Sequence, residues 1–145
     1  MTAEERELLL TDLCGRITKR PKGVLLNKTF DPESVTIIGY NGRFVVVLRK
    51  GDYDEVPAES VRLYLRPLSS MTEEERDEIE EISHGWFYVN EDGEIFPMGQ
   101  FTDSAEFEDA ILPALKWLNK NMFDYRGLIP MNLAVEAKEE TYKAD

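Results

Sequence analysis

Apolar residues at helical spacing follow two capping boxes in this chain. Thr2 with Glu5 predicts a helix N-terminus, and Leu9 and Leu13 then give a narrow apolar stripe that we expect to end at Gly15. Thr72 with Glu75 predicts a second helix, running to about position 83, whose exposed positions are mostly acidic. Both helices are therefore predicted to begin with the same hydrogen-bonding device.

A third and longer helix is predicted from about 103 or 104 to 121. Its core stripe repeats every three to four residues and consists of Phe107, Ile111, Ala114, Leu115, Leu118 and Met122. Pro113 lies inside the stripe and is expected to kink or split the helix, because it removes one hydrogen bond and crowds the preceding turn.

Between the first two helices the pattern changes to short β-branched and apolar runs. They cover 24–26, 35–40, 43–49 and 53–56 and are separated by turn residues at 31–32, 41–42 and 51–52. Asn41-Gly42 is the strongest of these signals because it favours a type I′ hairpin. Two architectures fit, a small bent antiparallel sheet and an SH3-like barrel.

The remaining segments complete an α+β prediction. Residues 61–65 alternate as a strand does, although Ser60 also suits the start of a short helical turn. A β-hairpin is predicted about 90–93, flanked by 86–89 and 94–98, and a last short strand at 133–135. We expect one domain over 1–145, with sub-modules at 1–70 (helix plus small β-barrel or sheet) and 71–145 (helix, hairpin, long kinked helix).

Charge divides the 145 residues unevenly. The net charge is −12, yet the first 70 residues hold 11 basic and 10 acidic residues, whereas the rest hold 6 and 19. Such acidity argues against nucleic acid as a partner of the second half and favours solubility or a basic partner. No apolar run approaches membrane-spanning length and the N-terminus lacks a signal-peptide pattern, so a cytoplasmic protein is expected.

The sequence contains few groups for catalysis. His84 and Cys14 are each the only residue of their kind, and neither stands in a recognised nucleophile, phosphate-binding or metal-binding motif. We expect Cys14 to be a small buried hydrophobe and His84 to be a helix-terminal group. The prediction is a non-enzyme with no cofactor and no metal.

Two longer motifs and one short one carry a resemblance. They are Tyr64–Glu75 (YLRPLSSMTEEE), Phe123–Pro130 (FDYRGLIP) and Leu9–Arg16 (LLTDLCGR). In these stretches, and in their order and spacing, the chain resembles a family of small uncharacterised proteins of gut anaerobic bacteria and their phages and mobile elements. The resemblance implies a phage or mobile-element context and no assigned activity, cofactor or catalytic residue.

The two longer motifs supply the candidate interaction residues, which are Arg66, Asp124, Tyr125 and Arg126. An interaction loop is one interpretation of 124–127. The alternative is structural: Asp124 and Arg126 pair locally, Tyr125 packs and Gly127 takes a positive φ.

A basic loop forms a second candidate, with no acidic residue between Asp12 and Asp31. Its members are Arg16, Lys19, Arg20, Lys22 and Lys28. Three functions follow from these surfaces. The leading one is a non-catalytic protein-binding or structural role with an unidentified protein partner, the second an acidic inhibitor that mimics DNA, and the third weak nucleic-acid binding through 16–28. The oligomeric state is left open.

Overall fold

A computed structural model describes residues 1–26, 33–85, 87–97 and 104–138, with backbone alone for 96–97 and 104–110. The helices are α1 (Ala3–Arg16), α2 (Glu73–Ile82) and α3 (Ser104–Lys120). The strands are β1 (Lys22–Leu25), β2 (Glu33–Tyr40), β3 (Val45–Arg49), β4 (Asp52–Val56), β5 (Val61–Pro67), β6 (Phe87–Val89), β7 (Ile95–Pro97), β8 (Phe123–Asp124) and β9 (Ala134–Glu136). The α+β prediction is confirmed.

The chain divides into two compact units. The first is Met1–Leu65 with Arg126–Asp145, and the second is Arg66–Tyr125. The final segment belongs to the first unit because β9 pairs in parallel with β5, at Leu63↔Ala134 and Leu65↔Glu136. Sequence alone places the division near residue 70 and assigns the final segment to the second half.

The first unit holds an open sheet in the order β4-β3-β2-β1-β5-β9, antiparallel except for β9. Within the described residues β4 pairs with β3 only, so the bent-sheet alternative is the one observed. The inner face is apolar and fully or nearly buried. It is formed by Val35, Ile37, Val45, Val47, Val61, Leu63 and Leu65. On α1, Leu9 and Leu13 are buried as the stripe predicts.

Local signals explain most element boundaries. Both capping boxes form, with the Thr2 and Thr72 hydroxyls accepting from the N–H of Glu5 and Glu75 at 3.0 and 3.1 Å. However, α1 continues through Gly15 and ends at Arg16. The Arg16 side chain donates a hydrogen bond to the Asp12 carboxylate one turn earlier, and this contact favours a helical backbone up to Arg16. Ser60 closes a 3₁₀ turn at Ala58–Ser60 and β5 follows directly, so both interpretations of that segment describe part of it.

Three hairpins form at the predicted places. Asn41-Gly42 becomes part of a four-residue connection, in which the Asn41 Oδ1 accepts from the N–H groups of Arg43 and Phe44 at 3.1 and 2.8 Å. The β3–β4 turn consists of Lys50 and Gly51, both with positive φ. The two-residue type I′ geometry predicted for 41–42 is therefore the geometry of the next turn along the chain.

The second unit packs α2 and α3 with the β6–β7 hairpin around its own core. Its buried members are Met71, Ile79, Val89, Ala114, Trp117, Leu118 and Phe123. Trp117 stacks on Phe123 with ring centroids 5.5 Å apart. Pro113 lies within one continuous helix and does not split it. The side chain of Phe107 and the 98 end of the predicted hairpin lie outside the described residues.

Candidate binding surfaces

Arg66 makes its contacts inside the second unit. Its two terminal nitrogens donate to the two carboxylate oxygens of Glu75, each at 2.8 Å, and its guanidinium lies 4.1 Å from the centroid of the Phe123 ring. Burial raises the pKa of Glu75, but hydrogen bonds from Arg66 and from the Thr72 N–H lower it more, so the net pKa lies below its ordinary value. The candidate residue Arg66 therefore joins β5 to the N-terminus of α2.

The neighbouring candidates Asp124 and Tyr125 are also built into this unit. Asp124 is buried in β8, a short strand that pairs with the end of β5 and that the sequence pattern does not predict. The Tyr125 hydroxyl donates to Oδ1 of Asn119 at 2.9 Å, and its ring packs against the core. Gly127 has a φ of 75°, as the structural alternative requires.

Arg126, the last of the four, donates to Asp12 in the first unit at 2.6 Å. Asp12 also accepts from Nε and Nη2 of Arg16, each at 3.0 Å, with the Asp12 and Arg16 side chains wholly buried. The assignment of Arg16 to an exposed basic loop is therefore wrong. The spacing of Asp12 and Arg16, one helical turn apart, was the available signal for an ion pair.

The rest of the basic segment is exposed where it is described. Lys19, Arg20 and Lys22 all present their side chains to solvent, whereas Lys28 lies outside the described residues. Arg20 has a left-handed backbone with a φ of 47° and ends a 3₁₀ turn that leads into β1. The candidate phosphate-contacting set is thus reduced to three described side chains.

Lys22 belongs to a groove on the outer face of the first unit's sheet. The groove has a volume of about 380 Å³ and is lined by Lys22, Ser34, Val35, Thr36, Leu48 and Tyr64. The hydroxyls of Ser34 and Tyr64 lie 3.5 Å apart. Hydroxyl, ammonium, aromatic and aliphatic groups therefore converge on one exposed surface.

The sheet register extends this surface to the edge of the sheet. Lys22 stands opposite Thr36, Thr36 opposite Leu48, and Leu48 opposite Tyr53 on β4. Residues directly opposite in a sheet project from the same face. Tyr53 is 74% exposed and flanks a hollow of about 260 Å³ lined by Arg49, Lys50, Asp52 and Asp54. The outer face thus ends at a tyrosine on an edge strand.

The second unit carries the negative charge, with 15 acidic and 4 basic residues over 66–125. On α2 the exposed carboxylates are Glu73, Glu74, Asp77, Glu78 and Glu81. They lie in two adjacent rows, 73–77–81 and 74–78, in which neighbours are about 6 Å apart along the helix axis. The interpretation of α2 as a solvated acidic helix agrees with this exposure.

Cys14 and His84 lie on different helices, Cys14 near the end of α1 and His84 directly after the end of α2. Cys14 is exposed, so its assignment as a buried hydrophobe is wrong, because the buried face of α1 is set by positions 9, 12, 13 and 16. Within the described residues no three His, Cys, Asp or Glu side chains could hold a metal ion together. No helix in that part of the chain is long and apolar enough to cross a membrane.

His84 terminates α2 in a left-handed conformation. The backbone N–H of His84 donates to the backbone carbonyl of Glu81 at 3.0 Å, and the N–H of Gly85 donates to the carbonyl of Glu80 at 2.7 Å. These two hydrogen bonds form a Schellman motif. His84 has a φ of 56°, a region that glycine enters without a steric cost.

Replacing His84 with glycine is expected to stabilise the second unit by up to about 1 kcal/mol, because the left-handed conformation costs a non-glycine residue about 1–2 kcal/mol and the greater chain entropy of glycine offsets about 0.5–1 kcal/mol of that gain. Urea unfolding followed by tryptophan fluorescence measures the change, since both tryptophans lie in the sequence of this unit. The matched control is His84→Ala, which keeps the left-handed strain. Equal stabilities of the two variants would contradict the assignment.

Comparisons of this chain with protein-family models, with curated proteins and with solved structures find no match.

Proposed function

We propose that this protein is a non-catalytic protein-binding module and that it binds its partner on the outer face of the first unit's sheet. The observation that carries the proposal is the row of side chains in register from Lys22 to the exposed Tyr53, with the groove beside it. Tyrosine is enriched at protein interfaces because its rigid ring buries a large area while its hydroxyl keeps a hydrogen bond.

The candidate residues of the two sequence motifs have structural contacts, which leaves the outer sheet face as the binding surface in this proposal. Arg66, Tyr125 and Arg126 form contacts within their own units, and we assign them to the design of the domain. A ligand surface must then be sought elsewhere, and the outer sheet face offers exposed polar and aromatic groups. A phage or mobile-element setting remains part of the proposal and rests on the resemblance of the motifs.

The test is a quantitative pull-down from the native host during phage induction, with mass-spectrometric identification of bound proteins. Tyr53→Ala and Thr36→Arg, both at exposed or half-exposed positions, are expected to lower recovery of the partner about tenfold or more. Tyr88→Ala, at the exposed tyrosine of β6, is the matched control and should recover the partner as the wild type does. Equal recovery by all four proteins would refute the proposal.

A second candidate is an acidic inhibitor of a nucleic-acid-acting enzyme, favoured by the two carboxylate rows of α2. An inhibitor of this kind competes with DNA, so the protein should release a target enzyme from immobilised duplex. Changing Glu73, Glu74, Asp77 and Glu78 to glutamine should abolish the release and leave the Tyr53-dependent pull-down intact. Release that survives these four changes would exclude α2 as the mimic.

A further inference from the structure

We infer that the partner contributes an extended, basic segment that adds as a new strand to the free edge of β4; this inference rests on the proposed function and names the partner class. Strand addition uses main-chain hydrogen bonds for affinity and side-chain pockets for specificity. Within the described residues β4 pairs with β3 alone, which leaves its second edge available.

The hairpin register identifies the free backbone groups. Lys50 and Gly51 form a two-residue turn, so the flanking residues Arg49 and Asp52 are a hydrogen-bonded pair. Hydrogen-bonded and non-hydrogen-bonded pairs alternate along an antiparallel ladder. Asp52, Asp54 and Val56 therefore direct their N–H and C=O groups toward β3, whereas Tyr53 and Glu55 direct theirs outward.

One of these outward donors already has a side-chain partner. The N–H of Glu55 donates to Oδ1 of Asp54 at 2.9 Å, which agrees with its position on the outer side of the ladder. An incoming strand must replace that carboxylate with its own carbonyl oxygen. Oδ2 of Asp54 accepts from Arg49 at 3.4 Å, so the displaced Oδ1 is the oxygen that a lysine or arginine on the incoming strand then contacts.

The negative charge of β4 also favours a basic partner strand. Asp52, Asp54 and Glu55 are all exposed, so the five-residue strand presents three carboxylates. A second copy of β4 would place carboxylates against carboxylates, which destabilises cross-strand pairing. A basic strand places opposite charges there instead.

The surroundings of the edge fit an added strand. A hollow of about 260 Å³ lies at the Lys50–Gly51 end of this edge, and Tyr53 borders it. Of the positive groups near the edge, Arg49 pairs with Glu33 at 2.7 Å and with Asp54 at 3.4 Å. Lys50 lies 3.7 Å from the same Glu33.

The experiment titrates a seven-residue peptide of alternating lysine and valine into the full chain labelled with ¹⁵N. Saturable shifts and slowed hydrogen exchange are expected at the amides of Tyr53 and Glu55. A peptide methylated on the backbone nitrogens that face β4 should not bind, because it cannot donate to the free carbonyls. A peptide with glutamate in place of lysine should not bind either.

Protein variants provide the charge test. Asp52→Lys with Asp54→Lys should weaken the basic peptide more than tenfold, whereas Glu73→Lys with Glu74→Lys, at exposed acidic positions on α2, should leave binding unchanged. Shifts confined to α2, insensitivity to backbone methylation, or no shift at millimolar peptide would each overturn the inference. The proposed function fails separately, when Tyr53→Ala and Thr36→Arg still recover the partner.

Discussion

Asp12→Ala is expected to lower the free energy of unfolding of the first unit by about 3–5 kcal/mol, the cost of removing one partner from a buried ion pair. The Asp12 carboxylate accepts from the guanidinium groups of Arg16 and Arg126, and Arg16 has no exposed side-chain surface. Without the carboxylate, Arg16 remains a buried charge that has lost its bidentate partner. Hydrogen exchange of the α1 amides under increasing urea measures the loss.

A surface ion pair on the same unit is the control. Arg6 donates to Glu59 at 2.8 Å, but both side chains are more than one third exposed. Glu59→Ala should therefore cost less than about 1 kcal/mol. A loss for Asp12→Ala no larger than that for Glu59→Ala would show that the buried cluster does not support the unit.

Glu75→Gln is expected to lower the free energy of unfolding of the second unit by about 1.5–3 kcal/mol, the range for hydrogen bonds to charged groups. The substitution removes the charge that Arg66 contacts through two bonds of 2.8 Å and weakens the capping box with Thr72. Urea unfolding followed by tryptophan fluorescence reports this unit, because Trp117 packs in its core.

The same substitution should change the dependence of stability on pH. The folded pKa of Glu75 lies below its ordinary value of 4.5, so the unfolded chain binds the proton first as the pH falls. The contribution of Glu75 to stability is therefore present above that value and is lost as the pH falls through the folded pKa.

Glu75→Gln should lack this segment of the pH profile, whereas Glu74→Gln, at the exposed neighbouring position, should keep it. Superimposable profiles for Glu75→Gln and the wild type would contradict the role of Glu75.

Sequence signals that act within a few residues predicted the local structure well. The Thr2 and Thr72 capping boxes place two helix starts, because a side chain and a backbone N–H three residues apart meet only when the turn is helical. The hairpins at 41–44 and 50–51 follow from the few residues that accept their backbone geometry. Alternation of apolar residues at 61, 63 and 65 likewise predicted β5, in which these three side chains are buried.

Long-range partners were not predictable in the same way. Asp12 and Arg126 are 114 positions apart, so neither identifies the other in a single sequence. The partner of Arg16 in the same cluster, Asp12, is only one helical turn away, so their spacing indicated a pair, but the burial of that pair depends on the rest of the fold. The pairing of β8 and β9 with β5 was not predictable for the same reason. Strands of two or three residues carry too little pattern to indicate which distant strand they pair with.

The sequence alone therefore established the α+β class, the helix starts, the turns and the concentration of acidic residues after residue 70, because propensity, capping and charge are properties of neighbouring residues. The tertiary structure decided which charged groups are buried in pairs and which remain exposed. It showed that Arg66, Tyr125 and Arg126 hold their own units together and left Tyr53 on an acidic sheet edge. Whether a charged group is buried in a pair or exposed depends on which distant segments come into contact, and that is a property of the tertiary structure.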